Sequence, residues 1–410
     1  MLNRKRSALS IALAVALSPS LALAQSTTET TATGTQAVDL DTVQVTGIRR
    51  GIENAIAIKQ DATSVVEAIS AEDIGKLPDV SIAESLGRLP GLAAQRVAGR
   101  AQVISVRGLS PDFATTLLNG REVVSTGDNR SVEFDQYPSE LVNGVTVYKT
   151  PDAALVGQGL SGTIDMQTVR PLSFAERVIA VSGRYQKNSL GKAANVDAYG
   201  NRFSASYIDQ FADNTWGISL GYAHSDMPIQ ENQGGLYEPW TTEQSNQGNR
   251  PGVAAGTYFS DGIKALRRTG NNKRDGYMAT IQFRPSNTWT STLDAFHTEA
   301  EQIDTANQFE VNLSNYNGGY DPGLFISNPQ VNGNGSFTGG TASGVYPLVR
   351  GMYNKRKDKI DAFGWNNELT FDSFKITADV NYSKATRDEL NLENNLQLTP
   401  MPQLDTIGLT

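Results

Sequence analysis

From about residue 172 onward, apolar and polar positions alternate one for one. Trp216, Ile218, Leu220 and Tyr222 alternate with Gly217, Ser219, Gly221 and Ala223, and Tyr277, Ala279, Ile281 and Phe283 with Met278, Thr280, Gln282 and Arg284. The same holds for Phe363, Trp365, Leu369 and Phe371, and for Phe374, Ile376, Ala378, Val380 and Tyr382 against Lys375, Thr377, Asp379, Asn381 and Ser383. A period of two predicts strands with one apolar face and one polar or small face. Ala212-Asp213-Asn214, Ser286-Asn287 and Asp372-Ser373 read as tight turns, whereas Asp226 to Lys273 and Ile303 to about Lys357 read as long connections rich in Gly, Asn, Gln and aromatics. Short turns at one end and long loops at the other are the sequence form of a transmembrane antiparallel β-barrel, its apolar face toward lipid and its polar face toward the lumen. A soluble β-sandwich shares the alternation but not that rhythm.

The preceding segment, 55–171, reads as a small α+β domain. Asp79 is placed to cap a helix starting near Val80, with Ile82, Ala83 and Leu86 on one face and Gly87 and Pro90-Gly91 ending it. Short strands are expected at Val103–Val106, Thr115–Leu118, Val145–Lys149 and Thr163–Val169, with Asn119-Gly120 as a tight-turn pair. Arg96 to Gln102 and Ser125 to Phe134 read as polar loops, candidates for ligand contact. Gly157-Gln158-Gly159-Leu160-Ser161-Gly162 has the glycine spacing of a dinucleotide-binding turn. That chemistry needs a helix after the motif, and here a strand with period two follows, so the glycines read as a close-packed bend.

The N-terminal residues set the compartment. Residues 1–24 carry a basic start (Arg4, Lys5, Arg6), an apolar run from Ala8 to Leu17 and a small-x-small site at Ala22-Leu23-Ala24, the form of a secretory signal cut after Ala24. Residues 25–38 are a polar, low-complexity lead expected to be disordered, and 39–47 read as a short tethered strand that a partner could grip by strand addition. The chain has 410 residues, no cysteine and a net charge of -8. These exclude a disulfide framework, a thiol nucleophile and a basic nucleic-acid face. His224 and His297 read as ordinary strand residues rather than metal ligands. Asn354-Lys355-Arg356-Lys357-Asp358-Lys359 reads as a solvated basic loop, with contact to lipopolysaccharide phosphate as the alternative. The acidic pairs Asp39/Asp41 and Glu299/Glu301 sit in exposed contexts, so no catalytic residue is assigned and no enzyme activity or cofactor is implied.

In this order the segments resemble a TonB-dependent outer-membrane receptor. Asp41, Thr42, Val43, Gln44, Val45 and Thr46 resemble the TonB box, the element pulled by the energy-transducing TonB protein. Residues 82–92 (IAESLGRLPGL), 105–109 (SVRGL), 118–121 (LNGR) and 145–150 (VTVYKT) resemble the successive signatures of that family's plug domain, and 157–164 (GQGLSGTI) its closing motif. The wording of 76–84 (KLPDVSIAE) and 135–141 (DQYPSEL) is similar to a branch common in Xanthomonas- and Caulobacter-like bacteria that includes oligosaccharide importers.

The resemblance implies a plug filling a barrel lumen, a ligand held between plug loops and external barrel loops, and partners comprising TonB, outer-membrane lipid and lipopolysaccharide. Ligand contact is expected from Arg96, Arg100, Gln102, Asp128, Asn129 and Arg130 in the plug. On the barrel side it is expected from Tyr237, Trp240, Tyr258, Phe259, Tyr316, Tyr320 and Phe325. Aromatic rings among amides suit stacking and hydrogen bonding of sugars, so an oligosaccharide is favoured over a ferric siderophore or cobalamin. A secreted sugar-binding β protein without transport is the rival class. Residues 172–410 supply about seven barrel strands, against about 22 in plugged outer-membrane transporters. Either a longer receptor or a truncated, non-transporting gene product is therefore expected.

Overall fold

The computed structural model describes residues 46–70, 81–97, 100–155, 157–236, 240–242, 250–313, 324–345, 347–396 and 407–409. The signal, the lead, residues 41–45 of the box and Lys76–Val80 lie outside them.

The chain enters through helix α1 (Thr46–Asp61). Thr46 and Gly47, expected at the end of a strand, are its first residues. Gly51, Ala55 and Ile58 recur at helical spacing and form its covered stripe, continued by Ala62 just past its end, while Ile52 and Ile56 remain exposed. Helix α2 (Ile82–Leu86) starts two residues later than expected. Ser81, with extended dihedrals, takes the N-cap position, and the Gly87 amide donates back to the Ala83 carbonyl at 3.0 Å. The expected apolar face is borne out, for Ile82, Ala83 and Leu86 are wholly buried.

Seven strands complete the first domain: β1 (Val66–Ser70), β2 (Leu92–Val97), β3 (Arg100–Val106), β4 (Ala114–Leu118), β5 (Arg121–Glu122), β6 (Gly144–Tyr148) and β7 (Gly162–Gln167). Five of them form a mixed sheet in the order β1-β6-β7-β4-β5, and β2 with β3 forms a separate hairpin. Residues 96–102 are thus mostly hairpin strand, not the polar loop expected from their composition. Asn119 and Gly120, both at positive φ (55° and 77°), make the β4–β5 turn. The glycine-rich bend behaves as read: Gly159 packs against the Thr115 amide and the Phe113 carbonyl, where no Cβ would fit, and a strand follows.

The second part is a single antiparallel wall with two small sheets at one end. Its strands are β8 (Val178–Lys187), β9 (Tyr199–Phe211) and β10 (Trp216–Leu236), then β13 (Gly262–Ser286) and β14 (Trp289–Asn312), then β17 (Pro347–Thr370) and β18 (Lys375–Leu396). Between them lie β11 (Thr241–Thr242) with β12 (Tyr258–Phe259), and β15 (Phe325–Val331) with β16 (Phe337–Ser343), which also pairs with β19 (Ile407–Leu409). Among the described residues the wall order is β8-β9-β10-β13-β14-β17-β18, and β8 and β18 are its two edges. The expected tight turns are all present, with Ala212, Asp213 and Asn214 at φ of 51°, 51° and 62°.

The strands run well past the stretches that alternate. At about 3.3 Å per residue, β14 spans roughly 80 Å, about three times the ~25 Å apolar band of an outer-membrane barrel. Much of the two segments read as long loops is therefore ladder, including Lys355 to Lys359 on β17. There Lys357 pairs with Glu301 at 3.0 Å and Lys359 with Glu299 at 3.4 Å. In these outer parts, as at Val311 and Ala306 on β14, burial comes from the neighbouring strands and small sheets, so the simple sequence alternation lapses while backbone pairing continues.

Candidate functional site: the first domain against the wall

Burial across the wall is the reverse of that in a soluble sheet. On β13 and β14 the apolar positions Tyr277, Ile281, Trp289 and Leu293 are exposed, whereas the polar positions Thr280, Gln282, Thr292, Asp294 and Thr298 are buried. What covers the polar side is the first domain. Phe296 and Ile360 of the wall join the domain's core around Phe134, Tyr137, Ile104 and Met166, and Tyr137 stacks on Phe296 with ring centroids 5.4 Å apart. Burial raises the Tyr137 phenol well above its ordinary pKa.

Leucine side chains settle over wall glycines at the contact. A Cβ on Gly217 would lie 2.8 Å from Leu172 Cδ2, and one on Gly221 would lie 2.7 Å from Leu141 Cδ2. Charged pairs fix the position. Arg121 Nε and Nη2 both donate to Asp379, its Nη1 donates to Asp294 at 2.7 Å, and Arg170 Nη1 holds the other oxygen of Asp294 at 2.7 Å. Burial works against the Arg121 charge, yet the two carboxylates outweigh it and hold the guanidinium above its ordinary value.

The ligand-contact residues expected from sequence fall into three groups. Arg100 and Gln102 are brought together on β3, and both donate to Asp135, so they face the packed interface. Arg96 is exposed and paired with Glu84 at 3.1 Å. Asp128, Asn129 and Arg130 sit exposed on a loop, as expected, where Asn129 accepts from Ser131 at 2.7 Å. Trp240 and Tyr258 are exposed on or beside the β11–β12 ribbon, and Phe325 is exposed on β15. Phe259 is not available: it is buried 4.1 Å from the Phe337 ring centroid in a core with Val311, Ile326 and Val345. Tyr237, Tyr316 and Tyr320 lie outside the described residues.

His224 meets Asp275 at 2.8 Å and His297 meets Asp361 at 2.7 Å; no cluster of three metal-type side chains occurs among the described residues. Sequence reading missed the pairing of Arg121 and Arg170 with Asp294 and Asp379. The available signal was the phase of alternation, which puts both aspartates on the polar face.

At the entry to the domain, Glu67 on β1 joins Lys59 of α1 at 2.8 Å to Lys149 at 3.0 Å. Burial opposes ionisation of Glu67, but the two ammonium groups outweigh it and hold its carboxyl below the ordinary 4.5. A depressed carboxyl contributes stability that is present above the unfolded value and lost as pH falls through the folded one. The protection of α1 amides, taken as exchange relative to the intrinsic rate at each pH, is therefore expected to fall on acidification below about pH 4.5, and Glu67→Gln, costing about 1 kcal/mol locally, should abolish that dependence. Unchanged α1 exchange in Glu67→Gln would show that the contact does not hold the helix.

Residues 58–164 match the family model described as TonB-dependent Receptor Plug Domain, and this part of the chain is such a plug. No curated protein matches the chain by sequence. Among solved structures, the ferric citrate transporter FecA in the unliganded form is 11% identical, with 83% of this chain and 60% of that chain covered and a TM-score of 0.36. The siderophore receptor PirA from Acinetobacter baumannii is 12% identical, with 81% and 58% covered and a TM-score of 0.35. The copper transporter OprC is 13% identical, with 84% and 50% covered and a TM-score of 0.42. The chain thus spans 60% or less of the length of these structures. No helix among the described residues is long and apolar enough to cross a membrane.

Proposed function

We propose, from the premise that residues 58–164 are a TonB-dependent receptor plug domain, that the protein is an outer-membrane receptor importing a scarce ligand with energy delivered through TonB. One observation carries the membrane reading: the middle strands β13 and β14 expose their apolar positions and bury their polar positions under the plug. Lipid is the solvent that suits such a wall, because the ladder satisfies the backbone of the strands between its two edges and apolar side chains meet the hydrocarbon. Residues 41–46 act as the handle gripped by strand addition, and α1 passes the pull to the Lys59–Glu67–Lys149 contact and β1.

The ligand favoured is an oligosaccharide. Trp240 and Tyr258 offer exposed rings beside Thr241 and Thr242, a surface suited to stacking a sugar and bonding its hydroxyls. Asp128, Asn129 and Arg130 offer polar groups on the plug side. A ferric siderophore or cobalamin would pass the same gate. Fractionation of expressing cells is the test. The protein should resist carbonate and high salt and stay with outer-membrane porins; release as a soluble periplasmic or secreted protein would refute the reading.

A further inference from the structure

The wall register aligns one residue from every strand in a single row on the plug side. Arg184 lies opposite Arg202, Arg202 opposite Ser225, and Ser225 opposite Arg274. Arg274 then lies opposite Ala300, Ala300 opposite Asp358, and Asp358 opposite Arg387. Four arginines against one aspartate leave the row with three net positive charges. Against it the plug sets one eight-residue segment, Glu133 to Glu140, whose Glu133 and Glu140 turn their carboxylates to the row, while Asp135 gives its carboxylate to Arg100 and Gln102 within the plug and its carbonyl oxygen to the row.

The contacts match these charges. Arg387 Nη2 meets Glu133 Oε2 at 2.7 Å, and its Nε meets Asp358 at 2.7 Å. Arg202 meets Glu140 at 3.4 Å, and Arg274 donates to the Asp135 carbonyl oxygen. Gln136 Nε2 reaches Asp358 at 3.0 Å, and its carbonyl accepts from Thr298 at 3.1 Å. Nearer the short turns the polarity is opposite, for there the wall is acidic (Asp294, Asp379) and the plug basic (Arg121, Arg170). Moving the 133–140 segment therefore uncovers cations of this row, together with Arg356 of β17, which lies 4.0 Å from Glu133.

We propose that the row is an anion-selective collar for which the 133–140 segment is a removable counter-ion, and that the cargo admitted when the segment shifts carries negative charge. This rests on the transport reading above. Buried arginines stripped of carboxylates are costly to leave unpaired, and a narrow, low-dielectric lumen concentrates their field, so an acidic group on the cargo replaces the plug's acids in turn. Carboxylate, phosphate or sulfate would serve, whether on an acidic sugar or on a metal chelate.

The chain has no cysteine, which makes a direct test clean. Ser225→Cys places one thiol in the row without removing an arginine, and Ala300→Cys does so at a second position. Each variant, in the outer membrane of energised cells, is labelled with an anionic and with a cationic methanethiosulfonate of similar size. The anionic reagent is expected to react at least about tenfold faster, with labelling dependent on residues 41–46. Adding Arg202→Gln and Arg274→Gln should bring the two rates within about twofold. Equal rates at both positions, or a preference indifferent to the arginines, would overturn the collar while leaving transport intact. Absence of labelling in a membrane-located protein would overturn the uncovering of the row, and failure to reach the membrane would strike the transport reading itself.

Discussion

Replacing Arg121 with alanine is expected to free the plug from its seat. The change leaves Asp379 without its bidentate partner and Asp294 with Arg170 alone, in a site where Arg121 is about nine-tenths covered. Removing one member of a buried pair strands the other charge, here at a cost of about 3 kcal/mol, the low end for such pairs, because Asp379 is partly exposed and Asp294 keeps Arg170. Limited proteolysis in purified outer membranes should show cleavage inside the plug at rates raised by two orders of magnitude or more. Arg121→Ala with Asp379→Asn should recover part of the loss, since the double variant removes one of the stranded acids. Equal resistance of wild type and Arg121→Ala would mean that the plug is held by apolar packing around Phe134, Tyr137 and Phe296 instead.

Val43→Pro is expected to abolish energised function with no effect on the plug's protease resistance. Strand addition relies on backbone hydrogen bonds from the gripped segment, and proline removes one donor and distorts its neighbours. Capture of the full-length protein by the periplasmic domain of TonB should fall more than tenfold. Undiminished capture would place the grip elsewhere in the chain and remove the box reading of residues 41–46.

The wall was legible because the surroundings of its two faces differ. Leu293 and Thr292 sit one residue apart yet meet opposite environments, and that contrast writes a period of two into the sequence. Where the contrast ends, as at Asp226 to Leu236 or Lys355 to Lys359, the strands continue unseen. Helix α1 escaped notice for a related reason: its covered stripe is made of Gly51, Ala55 and Ile58, continued by Ala62 just past its end, too small to stand out beside exposed Ile52 and Ile56. Arg96 to Gln102 looked like a loop because Arg100 and Gln102 serve a partner 33 to 35 residues away, Asp135, and Arg96 pairs with Glu84. The seat of the plug lay furthest from reach. Arg121 meets residues 173 and 258 positions downstream, and no local pattern encodes so distant a pairing. Only the polar phase of Asp294 and Asp379 marked them as facing the lumen.

That phase also offers the most direct test of a lipid-facing wall around a lumen-seated plug. Single cysteines at Ile281, Leu293, Trp365 and Val380, and at Thr280, Thr292, Asn366 and Asn381, would carry spin labels in reconstituted outer-membrane vesicles. Accessibility to oxygen, which partitions into lipid, is compared with accessibility to a water-soluble nickel chelate. The expected result is a strict alternation, with the first set open to oxygen and closed to nickel, and Thr280 and Thr292 closed to both under the plug. Nickel access at Ile281, Leu293 and Trp365 would mean that the apolar face meets water, and the wall would then be an ordinary soluble sheet.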